Sequence, residues 1–428
     1  MRDETKAIMD QEIPKDYPFI NIVLNHIATA IFVVDESYRI HKLNDTCGTL
    51  FSKAEDEKFR RFCEGFVACR HLADGKLECG KLPFCADCAL GACLNRCFQN
   101  PSAVFKEKLT RKFEMESGAV SKHFQLVGKR MDYQGKKLVL ILLEDVTELE
   151  EQRKQLDMDL AAAAQIQRNL LPSEIPRGET VDVAWKFTPC GKVGGDAFNV
   201  MQLDEHHWGM YVLDVSGHGL ASAMVAVSVA HVLQPQTGYL VRKSEKSSYN
   251  AYLMRKVLSY HTEIVSPSRV LKTLDEEYDM QRYDNFFSIS YLVLDTRDGT
   301  LRYSNAGHPF PVVLHADGTM ELLKKGGPVI GLGVSADFQE EVKRLRPGDK
   351  LFLYTDGLDE YADSRGDLYG AKRFYQVLRQ WSRKPVARIV DAVMESIAEF
   401  GGDTSPGDDV SLLGLAFKGE KKKLNRPL

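Results

Sequence analysis

Acidic residues recur at four places in the C-terminal half of the chain: in GGD at Gly194 to Asp196, in DVSGHG at Asp214 to Gly219, in TDG at Thr355 to Gly357, and as the pair Asp408 and Asp409. Each borders a run of β-forming residues, so each can sit at a strand end. Carboxylates that far apart in a chain meet only if the fold gathers the strand ends. Once gathered, they repel one another unless cations lie between them. Aspartate oxygens are hard ligands that suit Mg²⁺ or Mn²⁺ better than zinc. Two such ions a few ångströms apart can activate water, hold phosphate oxygens and stabilise an in-line displacement at phosphorus. The chemistry read from Asp196, Asp214, Asp356, Asp408 and Asp409 is therefore two-metal hydrolysis, with no covalent nucleophile. Gly194, Gly195, Gly217, Gly219 and Gly357 would let the backbone come close to metal or phosphate. Asp-Gly is also an ordinary turn, so each motif taken alone is weak.

Thiols form the second group. Eight of the nine cysteines fall between Cys47 and Cys97, and five of them crowd into CGKLPFCADCALGACLNRC as Cys79, Cys85, Cys88, Cys93 and Cys97, with Cys63 and Cys69 upstream. The Cys85-x-x-Cys88 pair has the bite that tetrahedral zinc or the iron of an iron–sulfur cluster accepts. Thiol redox sensing is the alternative, and with no histidine after Cys88, covalent haem attachment is excluded. His71 is a ligand or a solvated loop residue. The remaining chemistry-bearing residues divide into His218, which is either a general acid for a departing seryl or threonyl oxygen or a loop residue that packs, His308, read as structural, and Cys190, read as incidental.

These groups need elements to place them. The chain has 428 residues and a formal net charge of -4, which gives two or three domains and no electrostatic case for nucleic acid or an acidic membrane. No stretch supplies the roughly 20 apolar residues of a spanning helix, and the first residues lack the apolar segment of a signal peptide. A cytoplasmic protein is expected. From 18 to 146 the pattern is a small α+β domain, with turns at Asp35 to Ser37 and at Gln134-Gly135 between short strands. From 147 to 172 it turns to heptads: Val146 and Leu160 on one seam position, Leu149, Leu156, Ala163 and Leu170 on the other, interrupted by Arg153 and Gln167. Asp145 with Glu148 predicts a reciprocal N-terminal cap and Pro172 a stop. A single amphipathic helix and a coiled coil that would make a homodimer fit this pattern equally.

Residues 173–418 are strand-rich, with hairpins in MQLDEHHWGMYVLDV, YLVLDTRDGTLRYS and PVVLHADGTMEL and helical runs at Leu220 to Leu233, Ser268 to Tyr283 and Pro385 to Phe400. Strands in runs and helices in runs predict α+β layering. Gln236 to Ser266 reads as an irregular polar insertion, and 419–428 as a disordered tail.

Two resemblances add to this reading. ATAIFVVDESYRIHKLND and LLEDVTELEEQRKQL resemble the opening and closing of a PAS sensor domain. AAAAQIQRNLLP, KVGGDAFNV, LDVSGHGLASAMVA, YSNAGHPFPV, PVIGLG, LYTDGLDEYADSRGDLYG and DDVSLL together resemble the metal-dependent protein phosphatase (PPM) family in its bacterial SpoIIE/RsbU-like branch, from about Ala161 to Leu415. That resemblance implies a layered α-β-β-α phosphatase domain with two Mn²⁺ or Mg²⁺ ions. Asp214 would bridge both ions with the Val215 carbonyl assisting. Asp356 and one of the paired acids, Asp408 first, would complete the core, and Asp196 would hold the second ion. It also implies a phosphoserine or phosphothreonine substrate on a STAS-type anti-sigma factor antagonist or similar partner, under control of the N-terminal sensor. The rival reading is a catalytically dead scaffold of the same fold; clustered carboxylates speak against it.

Overall fold

The computed structural model describes residues 18–51, 89–115, 118–172, 179–217, 219–250, 255–333 and 337–419. His218, Cys63, Cys69, His71, Cys79, Cys85, Cys88 and the tail from 420 onward lie outside the described residues. The chain divides into two compact units, Met1–Asp157 and Met158–Leu428.

In the first unit the order is α1 (Pro18–Asn25), β1 (Ala30–Asp35), β2 (Ile40–Leu43), α2 (Thr46–Phe51), α3 (Ala89–Gln99), β3 (Val104–Met115), β4 (Gly118–Tyr133) and β5 (Lys136–Asp145). The strands form one antiparallel sheet in the order β2-β1-β5-β4-β3. Alternation selects its buried face: Ala30, Phe32 and Val34 of β1 and Val139, Ile141 and Leu143 of β5 point into a single core. Helix α3 covers that face with Leu90, Cys93, Leu94 and Cys97. Their i, i+3, i+4, i+7 spacing is the apolar stripe of a surface helix. The two expected turns are present. Asp35 accepts from the backbone of Ser37 and Arg39, and Gln134 and Gly135 both take positive φ, 48° and 73°.

Helix α4 (Thr147–Leu170) follows. Asp145 caps it, accepting from the Thr147 N–H at 3.0 Å. The reciprocal bond expected from Glu148 is not made; its carboxylate accepts instead from Gln152 one turn on. Because the helix starts at Thr147, Glu148 lies too early in the first turn to reach back. Leu149 and Leu156 are 63% and 58% exposed.

The second unit begins within α4 and continues with β6 (Val181–Thr188), β7 (Asp196–Gln202), β8 (His207–Val215), α5 (Leu220–Val232), β9 (Val241–Asn250), β10 (Arg255–Ile264), α6 (Pro267–Glu277), α7 (Met280–Tyr283), β11 (Phe287–Asp295) and β12 (Thr300–Ala306). Then come β13 (Val312–Leu314), β14 (Met320–Leu322), β15 (Gly326–Gly327), β16 (Glu341–Arg344), β17 (Lys350–Tyr354), α8 (Asp356–Asp359), α9 (Gly370–Gln380), α10 (Val386–Gly401) and β18 (Val410–Phe417). One sheet runs β15-β12-β11-β8-β7 with β16 on β12, and the other β14-β13-β17-β18-β6.

Period 2 divides each strand between two cores. In β8, Trp208, Met210 and Val212 join residues of β17 and β18 in the core between the sheets, whereas Tyr211, Leu213 and Val215 pack with α5 and α6. Likewise Leu351 and Leu353 of β17 face the other sheet, while Phe352 and Tyr354 face α9 and α10. The layers therefore run helices, sheet, sheet, helices.

Two expectations need correction, and one helix was not expected. The segment 236–266 is not irregular: β9 and β10 pair over ten residues each as a regular antiparallel hairpin. The pairing is between two strands alone, and its polar sequence, without sustained apolar alternation, hid it. The helical run Ser268 to Tyr283 is two helices, broken where Tyr278 closes α6 and Asp279 caps α7. Helix α9, which the sequence reading did not foresee, packs Phe374 and Leu378 inward.

Candidate metal centre

The same alternation that divides the cores builds the site. Asp196 continues the row of Phe198 and Val200, Asp214 that of Met210 and Val212, Thr355 that of Leu351 and Leu353, and Ser411 and Asp409 that of Leu413 and Leu415. All stand on the inner faces, at the one end of the two sheets where β7 begins, β8 ends, β17 ends and β18 begins. Asp196 and Asp214 are direct partners across the β7-β8 ladder. Asp356 opens α8 one residue beyond Thr355.

Asp196 is buried. Its Oδ2 accepts from the Thr355 hydroxyl at 2.8 Å and the Ser411 hydroxyl at 2.6 Å, and Thr355 Oγ1 in turn accepts from the Ser411 N–H at 3.0 Å. These hydroxyls, which the sequence reading missed, fix one carboxylate oxygen by hydrogen bonds to its charged form. Burial, then the neighbouring Asp214, nonetheless push the Asp196 carboxyl well above the usual carboxylate range. Burial is also the largest cause of the rise of Asp214 to about 7, followed by repulsion from Asp356, Asp408, Asp409 and Glu360. Asp356 is raised by burial and by Glu360 and Asp408. Asp359, another unforeseen acid, is raised by burial to about 6. Among the described residues no Lys or Arg forms an ion pair with Asp196, Asp214, Asp356 or Asp408. A set of hard oxygen donors that repel each other, with no cation among the side chains, has the composition that divalent ions satisfy.

The paired acids differ. Asp409 is buried and its carboxylate accepts from two backbone amides, Cys190 N–H at 2.9 Å and Asp196 N–H at 3.3 Å. Asp408 is exposed, accepts only from the Asp409 N–H at 2.7 Å among described groups, and contributes to the repulsion felt by Asp214 and Asp356. Asp409 thus ties the β18 end to the GGD segment, and Asp408 has the free oxygen.

Close packing explains two glycines. A Cβ on Gly194 would run into the Asp409 carboxylate, and one on Gly357 into the Asp409 carbonyl. Val215 ends β8 with its carbonyl against Gly195. Cys190, read from its turn as incidental, stands beside the acids: its thiol lies with the Asp408 and Asp409 carboxylates within 4.8 Å, and burial followed by Asp409 pushes it up to about 11. It is a protonated neighbour of the acids.

His308 is buried in the core, its Nδ1 bonded to Ser288 Oγ at 2.7 Å, and burial lowers it to about 3. Ser288 is the ladder partner of Asp214. The neutral ring therefore packs behind the site. In the first unit, Cys93 and Cys97 lie one turn apart among apolar side chains, their sulfurs against Gly128 of β4. Burial, then Cys97, pushes Cys93 up to about 12, and burial raises Cys97. Both are packed in this core, and the cysteines expected to join them as ligands, Cys79, Cys85 and Cys88, lie outside the described residues.

Residues 204–418, half of the chain, match the family Stage II sporulation protein E (SpoIIE). The chain belongs to this family of PPM-type serine/threonine phosphatases. Asp214, Asp356, Asp408 and Asp409 fall within the match, and Asp196 precedes it. The phosphoserine phosphatase RsbP of Bacillus subtilis is 26% identical over 244 residues, 56% of this chain and 53% of that protein. Protein IcfG of Synechocystis sp. is 24% identical over 268 residues, 60% of this chain and 41% of that protein. The chain spans about half the length of the curated relatives it matches. The PP2C domain of SiaA from Pseudomonas aeruginosa superposes with a TM-score of 0.49 at 23% identity over 62% of this chain and 98% of that one. Among the described residues no helix is long and apolar enough to cross a membrane.

Proposed function

We propose that the chain is a signalling phosphatase that removes phosphate from phosphoserine or phosphothreonine of a partner protein, using two Mn²⁺ or Mg²⁺ ions held by its second unit. The observation that carries the reading is the convergence of Asp196, Asp214, Asp356 and Asp408 at one end of the paired sheets, with no Lys or Arg ion-paired to them among the described residues. Asp214 and the Val215 carbonyl would hold both ions, Asp356 and Asp408 would complete the core, and Asp196 would serve the second ion. When bound, the ions supply an activated water and charge stabilisation at phosphorus. The protein's part is to hold these carboxylates in place, through Thr355 and Ser411 on Asp196 and through Asp409 on the GGD backbone. His218, in the DVSGHG loop, is proposed to protonate the leaving oxygen.

The proposed partner is a phosphorylated STAS-type anti-sigma factor antagonist. Likeness to a phosphoserine phosphatase supports the substrate class. We take 18–146 as a PAS-like sensor, 147–172 as the linker, 173–418 as the phosphatase domain and 419–428 as a tail, in a cytoplasmic protein. The antiparallel sheet with helices on one face supports the first of these. Leu149 and Leu156, exposed on α4, support a homodimer through that helix. A sensory role for the cysteine segment, through a metal, a cluster or its thiols, rests on its density of cysteines.

The test is phosphate release from a phosphoserine peptide by the full chain, with Mn²⁺ and after chelation by EDTA. Release that requires Mn²⁺ is expected. A folded protein with no release at any Mn²⁺ or Mg²⁺ concentration would favour the inactive scaffold.

A further inference from the structure

Gln167 lies in the last turn of α4 and is 4% exposed. Its side-chain amide pairs with the backbone of Gly194 in both directions: Nε2 donates to the Gly194 carbonyl at 2.7 Å and Oε1 accepts from the Gly194 N–H at 3.2 Å. Nε2 also donates to the Asp196 carbonyl at 3.2 Å. Both amide hydrogens and the amide oxygen are thereby used on the GGD segment. Gly194 has no room to adjust, because the Asp409 carboxylate fills the space where a Cβ would stand. Beside the amide, Ala164 packs with Val193 and with Ala223 of α5, the helix that follows DVSGHG. One turn of α4 therefore touches the segment that carries Asp196 and the helix that follows the Asp214 strand.

We propose that Gln167 is a positioning residue: it sets the backbone of Gly194 to Asp196, and so the place of the Asp196 carboxylate, making cation affinity depend on the end of α4. This rests on the reading of Asp196 and Asp214 as cation ligands. A side chain that only fills volume would not need an amide here. Replacing it by an apolar chain of similar length leaves the Gly194 N–H and carbonyl buried without partners. The heptad pattern treats Gln167 as an interruption of an apolar seam; the interruption is the functional contact.

The experiment is calorimetric titration of the full chain with Mn²⁺ for wild type, Gln167→Met, Gln167→Glu and Asp214→Asn, each checked by melting without metal. Gln167→Met keeps the bulk, and Gln167→Glu keeps the shape but sets an acceptor against two carbonyls. Both are expected to bind Mn²⁺ about 10- to 100-fold more weakly, with phosphatase activity shifted to higher Mn²⁺ in parallel. A Met or Glu variant that folds and titrates as wild type does overturns the proposal. If Asp214→Asn also titrates as wild type does, the metal reading itself falls with it; if Asp214→Asn loses binding while the Gln167 variants do not, only the role of Gln167 falls.

Discussion

Both units bury ionisable groups, and they do so in opposite ways. In the first, Cys93 and Cys97 sit among Leu90, Leu94, Phe124 and Val139, where burial outweighs the nearby Arg96 and raises both thiols. In the second, Asp196 is as deeply buried, yet two hydroxyls point at one of its oxygens and further carboxylates crowd it. An apolar surround that merely suppresses charge is what a core residue tolerates. Hydrogen bonds aimed at a charge, together with uncompensated like charges, are a costly arrangement that persists where a cation is to be held.

The contrast is broken most directly by removing an acid. Asp356→Asn is expected to lower Mn²⁺-dependent phosphatase activity by about a thousandfold or more, because a missing ligand removes an ion on which the displacement depends. Circular dichroism should be unchanged. Ser411→Ala acts one step further out: with one hydroxyl gone from the Asp196 Oδ2, Mn²⁺ affinity should fall by about 10-fold or more, read by titration, with activity recovered at high Mn²⁺.

The buried acids also set a pH dependence for the metal-free protein. The folded chain holds the Asp214 proton up to about pH 7, whereas the unfolded chain releases it near about 3.9. Folding therefore takes up a proton in that window. The stabilisation is fully present below the unfolded value and is lost as pH rises through the folded one, by up to about 1.4 kcal/mol per unit. Urea melts of metal-free protein should show the second unit weaker at pH 8 than at pH 5, and Mn²⁺ should reverse the loss at pH 8. A buried thiol, protonated in both folded and unfolded chain at these pH values, offers no such lever between pH 5 and 8. Cys93→Ala should lower the stability of the first unit by about 1 kcal/mol, read by differential scanning calorimetry, and leave Mn²⁺ affinity as it is.

The acids themselves were legible in the sequence, since each stands beside a strand and period 2 decides which face it takes. The same rule would have found Thr355 and Ser411, which share parity with Leu353 and Leu413. They were passed over because a hydroxyl beside an apolar run carries no signal until its partner across the sheets is known. Gln167 was hidden for the same reason, as its partner Gly194 lies beyond the end of the helix. For Cys93 and Cys97 the Leu90, Cys93, Leu94, Cys97 stripe also marks a helix face, which the crowd of thiols before it kept from notice. The β9-β10 hairpin was illegible because its polar and basic sequence carries no sustained apolar alternation.

The central claim is that carboxylates from four strand ends form one metal centre. Mn²⁺ bound per chain at equilibrium, counted on the full-length protein and on Asp214→Asn with the fold verified, tests it. The expected result is two Mn²⁺ per wild-type chain and loss of both when Asp214, proposed to hold both ions, becomes Asn. Two Mn²⁺ held by Asp214→Asn with wild-type affinity would contradict the account.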